Sequence, residues 1–191
     1  DLILLNEVIF GESITEIKAY AFKNCTVLKE INLPSTLKTI GSEAFYGCSK
    51  LTDIAWGQSL ATINSSAFAD CTSLKSVVFP ESLVTVGAFA FNACTLLESI
   101  ILNDGLSTIN KKAFANTAIT EIVIPDSVTK LSSDKYDPLF NGCTKLRRVV
   151  LGDGLLAIPA YSFKDLTALN EVVFGQNITS IYEYAFENCT S

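Results

Sequence analysis

Histidine is absent from the chain. That removes the commonest general base and metal ligand. Positive charge is scarce: 14 Lys and Arg stand against 20 Asp and Glu, for a net charge of −6. A pI near 4.7 argues against a nucleic-acid or anionic-membrane partner, because excess Lys and Arg supplies that attraction. No apolar run approaches the ~18 residues of a membrane span, so no membrane insertion is expected. No charged-then-apolar leader opens the chain; it was either removed or never present. Five prolines and ten glycines exclude a collagen-like or linker-like composition. What is present is 49% hydrophobic residues over 191 positions, ample for a core and incompatible with disorder.

The hydrophobic residues recur with a fixed period. Leu28-Lys29-Glu30-Ile31-Asn32-Leu33, Leu51-Thr52-Asp53-Ile54-Ala55-Trp56 and Leu74-Lys75-Ser76-Val77-Val78-Phe79 share one pattern. Each is followed by a second apolar pair such as Leu37 and Ile40, then Ala44-Phe45, then Cys48. With phase 1 at the leading apolar residue, units start at Leu5, Leu28, Leu51, Leu74, Leu97, Ile119, Leu146 and Leu169. The spacing is 23 residues, except that the fifth unit has 22 and the sixth 27. The fifth lacks one residue after Phe114; the sixth has four extra between Leu131 and Phe140. The phenylalanine phase never fails: Phe22, Phe45, Phe68, Phe91, Phe114, Phe140, Phe163, Phe186. Such constancy predicts an inward ladder, each ring stacked on its equivalent one coil away. One unit cannot bury enough surface alone, so neighbours must stack into a solenoid.

Phases 1 to 6 mix alternation with β-branched residues, as in Glu121-Ile122-Val123-Ile124, and predict a short strand. Turn formers follow at phases 7 to 9, as in Pro80-Glu81-Ser82 and Gly152-Asp153-Gly154. Phases 10 to 13 predict a second extended segment. Phases 14 to 20, such as Gly41 to Gly47, read as one or two helical turns ended by Gly or Asn.

The repeat unit L-x-x-I-x-L-P-x-x-L-x-x-I-G-x-x-A-F-x-x-C resembles the BspA-like leucine-rich repeat over essentially the whole chain. At phase 9, where leucine-rich repeats commonly carry Asn, this chain has Ser, Thr or Gly except at Asn177, so no asparagine ladder is expected there. The expected fold is an α/β solenoid: a right-handed arc of eight stacked units, parallel strands on the concave face and short helical turns on the convex face. Residues 1–191 read as a single leucine-rich-repeat domain, part of a longer chain. The resemblance implies a cell-surface or secreted protein that mediates adhesion or recognition of a host or partner protein.

Cys25, Cys48, Cys71, Cys94, Cys143 and Cys189 each follow the ladder phenylalanine by three residues, and Thr117 and Leu166 fill that phase elsewhere. They read as buried free thiols. No C-x-x-C pair supports zinc. Four N-x-S/T acceptor patterns, at Asn24, Asn64, Asn177 and Asn188, carry little information because two arise from the repeat phase itself.

Solvent-facing strand positions supply the candidate partner-binding residues. Phase 3 gives Glu30, Asp53, Glu121, Arg148 and Glu171; phase 5 gives Asn32, Val78, Ile101, Val123, Val150 and Val173. Two readings of the phase-5 column stand: β-propensity at half-exposed strand sites, or a shallow protein-binding surface. Arg147 and Arg148 read either as an anion site or as a charge pair balancing Glu121 and Glu171. Asp104, Asp126 and Asp153 share phase 8, where calcium ligation competes with plain turn chemistry. The insertion around Ser132 to Leu139 adds Tyr136, either an interface anchor or a product of drift in a tolerant loop.

No Gly-rich phosphate loop or nucleophile elbow is present, and every recurring polar residue obeys the period, where a catalytic set should break it. The chain therefore reads as a non-enzymatic binding module with no cofactor and a protein partner. The alternative is a spacer or scaffold array with no ligand of its own. The last unit ends in phase at Ser191 without a polar cap, which suggests a longer array or end-to-end self-association.

Overall fold

The computed structural model describes residues 4–191. Longer and shorter strands alternate along the chain: β1 Glu16–Ile17, β2 Glu30–Asn32, β3 Thr39–Ile40, β4 Asp53–Ala55, β5 Thr62–Ile63, β6 Ser76–Val78, β7 Thr85–Val86, β8 Ser99–Ile101, β9 Thr108–Ile109, β10 Glu121–Ile124, β11 Lys130–Leu131, β12 Arg148–Leu151, β13 Ala157–Ile158, β14 Glu171–Val173 and β15 Ser180–Ile181. All pairs are parallel and join equivalent phases of successive units. Glu30 pairs Asp53, 23 residues on. The irregular units keep the same phase: Ile109 pairs Leu131 and Glu121 pairs Arg148. The missing residue and the insertion are therefore absorbed outside the strands.

Two parts of the expected architecture are corrected. Leu5 to Phe10 form no strand, so seven coils, not eight, carry the longer strand. Val8 and Phe10 pack against the core, but Ile9 is 86% exposed and nothing pairs the segment to β2. The first unit covers the end of the stack without forming a complete rung. Secondly, no helix occurs among the described residues, and phases 14 to 20 are turns. The reason lies in the backbone. Phases 16 and 20 take left-handed φ in nearly every coil, as at Glu43 (54°), Gly47 (70°), Phe89 (59°) and Ala93 (60°). Two such residues per turn cannot belong to a right-handed helix.

Hydrogen bonding in this segment alternates. Glu43, Phe45 and Gly47 donate to Ser65, Ala67 and Ala69 of the next coil at 2.8–2.9 Å; Ala44, Tyr46 and Cys48 donate within the turn, to Gly41, Glu43 and Phe45, all at 3.2 Å. Every N–H from Glu43 to Cys48 is thus satisfied, half of them only because another coil lies alongside. The apolar spacing Ala44, Phe45, Cys48 imitates a helical face, which is why periodicity alone misreads it.

The core is one continuous column. Leu28, Leu51, Leu74, Leu97, Ile119 and Leu146 are completely buried, as are the six central ladder phenylalanines. Ladder rings are parallel, with centroids 5.0–5.6 Å apart over most of the stack. Spacing widens to 6.0 and 6.4 Å on either side of Phe114, where the fifth and sixth units break register. Trp56 and Phe79 meet Phe68 and Phe91 edge-on, the favourable geometry for aromatic quadrupoles.

The shorter strands β1 to β11 form one continuous sheet, and β13 with β15 a second. The gap between β11 and β13 has a chemical cause. Ser132 and Tyr182 donate their N–H to Ile109 and Ile158, but the equivalent residue between them is Pro159, which has no N–H to give Leu131. The longer strands group as β2–β4, β6–β8 and β10–β12–β14. Each gap in one ladder is bridged by the other, so no coil boundary is without pairing. Gly87 lets coils approach closely: a Cβ there would lie 2.6 Å from the backbone of Asn64.

Ala93 holds the left-handed conformation that Gly47 and Gly142 hold in other coils. Ala93→Gly therefore stabilises the fold by about 0.5–1 kcal/mol, the relief of left-handed strain less the entropy glycine adds to the unfolded chain. Urea unfolding followed by circular dichroism measures it; destabilisation would contradict the strain argument.

Candidate functional site

On the longer strands, side chains alternate between core and solvent. Val77, Ile100, Ile122 and Val149 point inward, which sends phases 3 and 5 outward. The phase-5 side chains form a column: Val78 is 57% exposed, Ile101 54%, Val123 50% and Val173 40%, with Val150 half-buried between the last two. Strand register sets Val78 beside Ile101, and Val123 beside Val150 and then Val173. Asn32 and Ala55 continue the column as small or polar exposed residues.

The phase-3 column runs parallel to it. Glu30 lies beside Asp53, and Glu121, Arg148 and Glu171 are neighbours in register. Arg148 is bonded by both flanking carboxylates, Glu121 and, at 3.0 Å, Glu171. Its guanidinium pKa is raised first by Glu171 and then by Glu121. Of the two sequence readings, the charge pair is the one the geometry supports. Arg148 is committed to its own strand neighbours.

Between β8 and β10, where the longer-strand ladder lapses, the surface opens into a shallow groove of about 380 Å³. Ile101, Glu121 and Val123 line it together with Ser99 and Thr120. At this junction the shortened fifth unit brings the Ala118 N–H to the Leu97 carbonyl at 2.9 Å. The spacing locates the missing residue but not the groove beside it.

Tyr136 does not join this face. It is 80% exposed at the tip of the insertion. Asp134 Oδ1 accepts the N–H of Tyr136 and of Asp137 at 2.9 and 2.8 Å, closing the loop tightly. Lys111 and Lys112 hold Asp137 at 2.6 and 2.9 Å, fastening the loop to the turn segment of the preceding coil. These bonds, Lys111 first, lower the Asp137 pKa below the ordinary carboxylate range. Tyr136 therefore marks a different surface.

At phase 8, Asp126 Oδ1 accepts the N–H of Asp153 at 2.8 Å, and Asp153 Oδ1 that of Gln176 at 2.6 Å. Turn chemistry between coils accounts for these carboxylates. Among the described residues, no three His, Cys, Asp or Glu side chains converge as a metal site would require.

The cysteines are free, and all but the half-buried Cys189 are buried. Cys48, Cys71 and Cys94 each aim Sγ at the carbonyl of the ladder phenylalanine one coil back, Phe22, Phe45 and Phe68, at 3.2–3.3 Å. Thr117 makes the corresponding bond to Phe114, within its own coil. Burial pushes the Cys48 and Cys94 thiols up to about 12. A thiol whose folded pKa is raised stays protonated while its unfolded counterpart ionises. Its stabilising contribution is thus complete below the ordinary value of 9.0 and is lost as pH rises toward 12. Between pH 8 and 10 unfolding free energy should fall by about 1.4 kcal/mol for each such thiol. Urea unfolding at the two values tests this; the Cys48→Ala, Cys94→Ala double variant should show a flatter dependence, and an equal slope would contradict the assignment.

The comparisons with known proteins agree with this geometry. The BspA type leucine-rich repeat region matches in six copies over residues 2–96 and 61–191. No curated protein sequence matches the chain. A leucine-rich cell surface protein of Faecalibacterium prausnitzii is 27% identical with a TM-score of 0.62, the match covering 93% of this chain and 63% of that one. A leucine-rich repeat protein of T. pallidum is 28% identical with a TM-score of 0.60, covering 88% of this chain and 66% of that one. The chain thus spans less than two thirds of the length of either neighbour. With the family model spanning nearly every residue and the stacked parallel coils in register, the chain belongs to the BspA type leucine-rich repeat family.

Proposed function

We propose that this chain is a non-enzymatic recognition module of a cell-surface or secreted protein, and that it engages a protein partner through the longer-strand face. One observation carries the reading. Five aliphatic side chains, Val78, Ile101, Val123, Val150 and Val173, stand in one outward column, four of them 40–57% exposed. β-Propensity favours Val and Ile at single half-exposed strand sites, but their recurrence in five successive coils also lays down a contiguous apolar strip. Contiguous apolar surface of this kind marks partner sites. The F. prausnitzii neighbour is described as a cell surface protein, which supports the location. The repeat family is a scaffold family, in keeping with binding rather than catalysis.

The test is selection of a displayed random-peptide library on the immobilised chain. Enriched clones should lose at least tenfold in affinity against the Ile101→Asp, Val123→Asp variant and keep it against Leu156→Asp, which changes an exposed residue beside a shorter strand. Both positions are solvent-exposed, so the melting temperature should hold within a few degrees. Clones indifferent to the double substitution, or none at all, would favour a spacer array.

A further inference from the structure

The charges are distributed unevenly around each coil. All 14 Lys and Arg residues fall outside phases 4 to 9, a band that includes the phase-5 aliphatic column and the turn following it. The same band carries an acidic residue at phase 8 in four successive coils: Glu81, Asp104, Asp126 and Asp153. On the other side, Glu121 and Glu171 stand beside Val123 and Val173, and Glu30 and Asp53 continue that line beside Asn32 and Ala55. The column is therefore bordered by carboxylates along its phase-8 side from Glu81 to Asp153, while its phase-3 side is mixed: Ser76 and Ser99 beside Val78 and Ile101, then Glu121, Arg148 and Glu171, with Arg148 held by the two glutamates.

The surface along this band is concave as well. One hollow lies against Trp56, Val78, Pro80 and Glu81; the next runs from Glu81 past Leu102 to Asp104; the third is the groove at Ile101, Leu102 and Val123. Glu81 belongs to the first two and Leu102 to the last two, so the three hollows adjoin as a shallow trough across the middle coils. Of the turn residues at phase 7, Pro80 and Asn103 line it.

We infer that this trough takes an extended cationic polypeptide segment, in which Lys or Arg alternates with aliphatic residues. The inference rests on the proposed use of the strand face and adds the chemistry of the partner. An aliphatic floor with one continuous acidic bank, and Glu98 and Glu121 across the groove, matches a chain that presents apolar and basic side chains in alternation. It also disfavours a second copy of this molecule, since two such faces would set carboxylates against carboxylates.

The experiment uses three fluorescein-labelled twelve-residue peptides, alternating Lys–Val, Glu–Val and Lys–Ser, titrated with the full chain and read by anisotropy. Lys–Val should bind at least tenfold more tightly than either other peptide and weaken as salt rises from 50 to 300 mM. Glu81→Gln with Asp104→Asn should weaken Lys–Val by about two- to thirtyfold, the range for two exposed ion pairs. Ile101→Ser with Val123→Ser should weaken it as well, with melting curves confirming that all variants fold. Equal binding of Lys–Val and Glu–Val would overturn the charge assignment while leaving the strand-face reading intact. Lys–Ser binding as tightly as Lys–Val would show counterion attraction alone and overturn the trough. Absence of binding by all three would overturn it too, while the library selection still judges the face. A concentration-dependent doubling of mass that the Ile101→Ser, Val123→Ser variant abolishes would assign the column to a second copy instead.

Discussion

Each coil of this protein exists because another lies beside it. The turn segment shows the dependence most plainly. From Glu43 to Cys48, alternate N–H groups have their only partner in the following coil. A buried N–H without a partner costs about 1–3 kcal/mol, so a lone turn of this shape would not persist. Phenylalanine stacking reinforces the same vector: Phe22, Phe45 and Phe68 lie parallel at 5.0–5.1 Å. Thiols add a third contribution along it, with Cys48, Cys71 and Cys94 each bonding the coil before. Backbone, ring and sulfur all point along the stacking axis, which is why a 23-residue period persists through the chain.

Irregularities confirm the rule by what they leave untouched. The shortened fifth unit and the lengthened sixth keep strand partners in phase, and their cost appears as wider ring spacing around Phe114. Pro159 removes one rung bond from the shorter-strand ladder, at a boundary where β10, β12 and β14 remain paired. Conversely, the longer-strand ladder lapses at β8–β10 while β9 and β11 stay joined. Two independent ladders allow each to fail locally without opening the stack, and one such lapse coincides with the groove at Ile101 and Val123.

Much of this was legible from the residues. Period, phase, inward ladder, strand positions and buried thiols follow from spacing, because coils in register repeat their environments. The turn conformation was not. Ala44, Phe45 and Cys48 have the spacing of a helical face, and nothing in residue types such as Glu43 or Phe89 announces a left-handed φ. Only the coil-to-coil hydrogen bonds select it. The first unit misled for the opposite reason: Leu5 to Phe10 has the strand pattern but no ladder partner. Of the candidate surface residues, the strand columns came together as expected, while Tyr136 went elsewhere because Lys111 and Lys112 hold its loop. The trough depends on where ladders lapse, a property of pairing rather than of composition.

The central claim is that residues one period apart occupy the same place in successive coils. Excising one whole unit, Leu51 to Ser73, tests it most directly, since the junction of Lys50 with Leu74 restores phase. The shortened chain should keep a cooperative unfolding transition and a β-rich circular dichroism spectrum, with a lower melting temperature. Excising Leu51 to Thr62, about half a period, should abolish the transition. Equal behaviour of the two deletions would contradict the stacking account.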